Sequence, residues 1–180
     1  MFNRTEMAEL SGINSRTLYR LEEKNILNSQ KNKYTYNQVI FGRVLEQIRY
    51  ELGVTTMKFA EAFGSRAQHE IDWTTTCLIM FVNQGFGIID GEKNKEIESA
   101  FDEWFLPHEK EAFFIDGDSN PGIRQFLKKH FLIDLQGNTN LIYVAVFRAR
   151  KAIQRVAKKR LISDKLEIAK GSPFKHALVR

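Results

Sequence analysis

Residues 12–27 read GINSRTLYRLEEKNIL, a turn opened by glycine and followed by an amphipathic helix. Gly12 can take the left-handed conformation that stops a preceding helix sharply. Ile13 follows as an apolar plug, and Asn14 or Ser15 can cap a helix running from Arg16 to about Lys24. On that helix Leu18 and Leu21 stand three apart and turn inward, which leaves Arg16, Tyr19, Arg20 and Glu23 on the other faces. Upstream, Thr5 can cap a first helix whose apolar contacts are Met7, Ala8 and Leu10. A helix, a short glycine-containing turn and a second helix form the arrangement that offers the second helix to a major groove.

Downstream, Asn28-Ser29-Gln30-Lys31-Asn32-Lys33 is a polar, basic loop between Ile26-Leu27 and Tyr34-Thr35-Tyr36. Two short extended segments around a basic tip predict a wing. Asn37 can cap a third helix to about Leu52, with Val39, Ile40, Val44, Leu45, Ile48 and Leu52 as its apolar stripe. Gly53 ends it, and Thr55 or Thr56 caps a fourth helix bearing Met57, Phe59 and Phe63. The candidate DNA contacts follow. Arg16 and Arg20 carry forks that match guanine edges or phosphates. Ser15, Thr17 and Tyr19 carry hydroxyls for phosphate oxygens. Lys31, Lys33 and Tyr34 would face a backbone or minor groove. Three alternatives stand beside these roles: a solvated face for the arginines, packing of Tyr19 against the wing, and a core role for Tyr34 and Tyr36.

The runs GINSRTLYRLEEKNIL, KYTYNQV and LGVTTMKFAEAF together resemble the DNA-binding head of the MerR family, over about residues 5–63. Arg16, Thr17, Leu18 and Glu22 match its Gly-Val-x-x-Arg-Thr-Leu-Arg-Tyr-Tyr-Glu signature. Tyr34 and Tyr36 match its wing end, and Leu52, Gly53 and Thr55 match the start of its fourth helix. The resemblance implies a winged helix-turn-helix that binds double-stranded DNA. This chain departs from the pattern in several places. The Arg-Tyr-Tyr triplet is Tyr19-Arg20-Leu21, and Asn25 stands where a glycine usually precedes the wing. No heptad-repeating helix follows in residues 64–80, and the family's metal-sensing cysteines are absent.

After Gly64 the texture changes. Cys77 to Val82 and Phe86 to Ile89 read as strands, and Glu92 to about Phe105 reads as a helix. Ala112 to Ile115 reads as a short strand, Ser119 to Phe131 as a helix begun by Pro121, and Leu141 to Phe147 as an apolar strand before a helix from about Arg150. The expected class is therefore α+β: a winged helix-turn-helix over 1–63, a small mixed α/β regulatory or assembly domain over 64–147, and a basic helical tail over 148–180. Charge follows the same division. Residues 1–63 carry a net +2, residues 64–147 a net −6 and residues 148–180 a net +9, within a chain total of +5. On the tail helix Ala149, Ala152, Ile153, Val156, Ala157 and Leu161 make an apolar stripe. Arg155, Lys158, Lys159 and Arg160 beside it are candidate secondary phosphate contacts, or else a solvated face.

Other chemistries lack support. Asp116, Asp118 and Asn120 open like a calcium loop, but Pro121 and Leu127 stand where a glycine and a glutamate belong. His69, His108, His130 and His176 have no zinc-site spacing, and no phosphate loop, nucleophile elbow or catalytic cysteine signature occurs. No catalytic residue, metal or cofactor is expected. The single cysteine, Cys77, cannot form an internal disulfide, and no run approaches the ~20 apolar residues that span a bilayer. A cytoplasmic home and no membrane contact are expected. The leading functional expectation is a sequence-specific transcriptional regulator acting as a homo-oligomer, because one small head reads few base pairs. A plasmid or phage accessory DNA-binding protein is the alternative, and a metal-dependent enzyme fused to a DNA-binding head is a second.

Overall fold

The computed structural model describes residues 1–53, 55–64, 66–76, 78–82, 85–89, 112–115, 125, 128 and 141–171. Helix α1 (Arg4–Ser11) begins at a capping box in which Asn3 accepts from the backbone of Glu6 and Glu6 reaches back to Asn3. Asn3, not Thr5, is thus the cap, because the glutamate that completes the box lies three residues after Asn3. Gly12 ends the helix at φ 82°, a left-handed conformation that would strain a side chain. Ser11 ties the turn together, donating to Met7 O at 2.6 Å and accepting from Ile13 N at 3.2 Å.

Asn14 caps α2 (Ser15–Glu23) by accepting from Thr17 N at 2.8 Å. The helix closes with Asn25 at φ 56°, while Asn25 N donates to Glu22 O and Ile26 N to Leu21 O, each at 2.9 Å. This pair of bonds is the Schellman ending. Asparagine tolerates the left-handed region better than most residues, so it does the work of the missing glycine.

Helix α3 (Tyr36–Leu52) starts at Thr35, which forms a capping box with Gln38. Asn37 was the expected cap, but its side chain is committed elsewhere. It is buried and holds Trp73 N at 2.7 Å and Ile71 O at 3.0 Å. Gly42 lets α1 approach closely: a Cβ there would stand 2.8 Å from Met7 Cε and 3.0 Å from Ser11 Cβ. Helix α4 (Thr56–Phe63) and the short α5 (Arg66–His69) follow. Phe41, Phe63 and Trp73 form a ring cluster with centroids 5.0–5.6 Å apart. The expected division after residue 63 therefore falls inside packed structure.

Strands β1 (Leu78–Val82), β2 (Gly85–Ile89), β3 (Ala112–Ile115) and β4 (Leu141–Ala145) form one sheet in the order β2-β1-β4-β3, each neighbour antiparallel. Strand β4 stops at Ala145, two residues before the expected end, and α6 (Val146–Lys159) begins at once. The apolar run continues because Val146, Phe147 and Ala149 are buried from the helix's first turn. Helix α7 (Ser163–Lys170) completes the described elements. The helix expected over 92–105, the one expected over 119–131 apart from the helical Gln125 and Lys128, and residues Cys77, Asp116, Asp118 and Asn120 lie outside the described residues.

The result is a mixed, helix-rich fold. Helix α3 sits at its centre, touching α1, α4, α5, α6, α7 and β3, while α6 also touches α1 and β1. One hydrophobic cluster joins Phe2, Leu18, Phe41 and Ile48 to Ile153, Ala157 and Leu166. The tail segment thus contributes α6 and α7 to the same core as α1–α4. Among the described residues no helix is long and apolar enough to cross a membrane.

Candidate nucleic-acid interface

Helix α2 buries Leu18 and Leu21 and turns Ser15, Arg16, Tyr19, Arg20 and Glu23 to solvent. Tyr19 is 59% exposed, so it is not part of the core. Thr17 is half-buried. Among the described residues neither Arg16 nor Arg20 makes an ion pair, so both guanidinium groups stay available. The helix start adds the positive end of its dipole beside Arg16, whereas Arg20 lies in the last turn.

The basic loop is a two-residue turn. Gln30 N donates to Lys33 O and Lys33 N to Gln30 O, each at 3.0 Å. Lys31 and Asn32 between them lie at φ 51° and 59°, the pattern of a type I′ hairpin turn. A lysine in that region costs roughly 1–2 kcal/mol relative to its ordinary conformation. Lys31 and Lys33 are both exposed at this tip.

Tyr34 is the exception among the candidate contacts. It is fully buried, and its hydroxyl donates to Glu22 Oε1 at 2.6 Å. Burial, then the bond to Glu22 and that carboxylate's charge, push the phenol up to about 12. Tyr34 is a structural residue here and cannot reach a phosphate. It aligns the turn instead: its backbone pairs with Phe2 in both directions at 2.8 Å. Glu22 also accepts from Arg4 of α1. Burial alone would raise the Glu22 carboxyl, but hydrogen bonds from Tyr34, Ser29 and Arg4, with the Arg4 charge, bring it below the ordinary range. One carboxylate thereby fixes α1, α2 and the turn relative to one another.

The remaining candidates lie on α6 and just after it. Arg155, Lys158 and Lys159 are exposed. Arg160 pairs with Glu9 of α1 at 3.5 Å and braces the two helices. On α7, Lys165 donates to both oxygens of Glu6 at 2.6–2.7 Å and lies 5.8 Å from the Phe2 ring centre. The structure therefore brings Ser15, Arg16, Tyr19 and Arg20 to one helix face and Lys31 and Lys33 to the turn that Glu22 orients. The α6–α7 corner lies on the far side of Phe2. Glu22 and Phe2 were not expected as organisers. The Glu22 match to the family signature was one available signal; nothing local marks Phe2, whose partner is thirty-two residues away.

Among the described residues no three His, Cys, Asp or Glu side chains gather closely enough to hold a metal. Comparison with protein-family models gives no match, and comparison with curated proteins gives none.

Proposed function

We propose that the chain is a sequence-specific DNA-binding regulator of transcription, a winged helix-turn-helix in which α2 enters the major groove and the 30–33 turn is the wing. The observation that carries this reading is the outer face of α2. Arg16 in the first turn and Arg20 in the last turn of a capped helix stand exposed and, among the described residues, without ion pairs, beside a turn tipped by two lysines. Arginine forks in that position suit guanine edges. Ser15, Thr17 and Tyr19 supply hydroxyls to the flanking phosphates. Lys31 and Lys33 contribute charge without sequence preference. Useful specificity requires more than one such head, so the regulator acts as a homo-oligomer.

The test is selection of bound sequences from random duplex DNA, followed by binding of Arg16→Ala and Arg20→Ala to the enriched site. Each substitution is expected to cost about 1–3 kcal/mol of specific binding and to relax the preference at one position. Full site preference in both variants would remove α2 from the interface.

A further inference from the structure

Helix α6 carries a second cationic surface of a different kind. Its fourteen residues include no acid. Ala149, Ala152, Ile153 and Ala157 are buried, whereas Lys151, Gln154, Arg155, Lys158 and Lys159 are exposed. Lys151, Arg155, Lys158 and Lys159 follow at i, i+4, i+7 and i+8, and so form one stripe about 12 Å long. Two neighbouring cations are committed to the fold. Arg150 donates to Trp73 O at 3.1 Å and Thr76 O at 2.6 Å, and Arg160 holds Glu9. The helix dipole accounts for lysines in the last turn of α6. Lys151, one turn from the start, lies 5.4 Å from the Phe147 ring centre and is still exposed.

The position of the stripe matters as much as its charge. Contacts run in sequence from α2 through Glu22 to Tyr34, from Tyr34 to Phe2, and from Phe2 to Lys165 on α7. On α1, Arg4 faces α2, while Glu6 and Glu9, about 140–200° around the same helix, face α7 and the end of α6. The α6–α7 corner thus flanks the α2-and-turn surface at roughly 20 Å, two helix-packing distances.

We propose that the exposed stripe of α6, through Lys151, Lys158 and Lys159, is a sequence-independent contact to the phosphate backbone of duplex DNA, lengthening the footprint beyond the site held by α2 and the turn. This rests on the DNA-binding reading above. Lysine ammonium groups act as point charges and suit phosphates better than base edges. About 12 Å of track spans three to four phosphates of one strand, at ~3.4 Å of axis each. An anionic lipid surface is the competing partner: Leu161, expected in the apolar stripe, is instead 92% exposed just beyond the end of α6, and the experiment separates the two.

The experiment compares the full-length wild type with K151Q/K158Q/K159Q and with R16A/R20A. Each is titrated on a short duplex covering only the selected site and on one extended by a helical turn at both ends. On the extended duplex the wild type is expected to lose about 40-fold more affinity than the lysine variant between ~50 and ~200 mM salt, from three contacts at roughly 0.9 unit of slope each. On the short duplex the two should coincide. R16A/R20A should lose site preference yet keep the steep salt dependence on long DNA. Equal slopes for wild type and lysine variant on the extended duplex would overturn the α6 proposal while leaving α2 untouched. Unchanged preference in R16A/R20A would instead strike the parent reading. Retention on phosphatidylserine vesicles that only the lysine variant loses, with DNA slopes equal, would reassign the stripe to a membrane and also overturn the proposal.

Discussion

Helices α2 and α6 are both amphipathic and both cationic, yet they present charge in different forms. Helix α2 exposes two arginines among hydroxyls behind an Asn14 cap, with Glu23 on the same face. Helix α6 exposes lysines along its length with no acid among them. Planar forks beside hydroxyls are suited to reading an edge, and point charges in a row to following a backbone. A count of positive residues would treat the two helices alike. Side-chain type and the partners already taken separate them.

The largest expected effect tests whether the two regions are one structure. Ile153 is fully buried in the cluster that contains α1 and α3. Ile153→Ala is expected to cost about 2–5 kcal/mol, read as a shift of a single urea transition by circular dichroism. A separate early transition for α6, with the remainder unmoved, would break the claim of a shared core. Next comes an exchange of cations. Arg20→Lys keeps the charge but loses the fork, and should cost about 1–3 kcal/mol of specific binding. Lys158→Arg should change neither preference nor salt slope. Equal consequences at both positions would erase the distinction between the helices.

A smaller effect belongs to the turn. Lys31 occupies a left-handed conformation that glycine accepts freely. Lys31→Gly should raise stability by about 1 kcal/mol, while lowering the salt slope of DNA binding by roughly one unit. A gain in stability with no change in slope would leave the strained lysine without a role in binding. The smallest effect is in pH. The Glu22 carboxyl lies below its ordinary value of 4.5. Its contribution to stability is complete above that value and is lost as pH falls through the lowered one. The melting temperature of Glu22→Gln should therefore depend less on pH below 4.5 than that of the wild type, as calorimetry at stepped pH would show.

How much of this was legible depended on the range of the interactions. Helix α2 could be read closely because Gly12, Asn14, Leu18 and Leu21 act within a few residues of one another. The starts of α1 and α3 were misplaced by two residues because both Asn3 and Thr5, and both Thr35 and Asn37, are able caps. The choice at α3 was made by Ile71 and Trp73, far along the chain. Tyr34 stood as a candidate DNA contact at the end of the basic loop beside the alternative of a core role, and the core role is the one it takes. Its burial comes from Phe2 and Glu22, neither of which adjoins it in sequence. The insertion of β4 between β1 and β3 is a non-local choice that strand propensity does not encode. The packing of α6 onto α1 and α3 is of the same kind: its apolar stripe was visible, its partner was not.

That last packing has a consequence for biosynthesis. Roughly a hundred residues separate Ile48 on α3 from Ile153 on α6, and translation adds about 5–20 residues per second. For some 5–20 s, then, a nascent chain carries an α1–α3 surface whose natural cover has not yet left the ribosome. During that interval the exposed patch is a substrate for chaperones, and stalled or truncated products ending before residue 146 would keep it permanently.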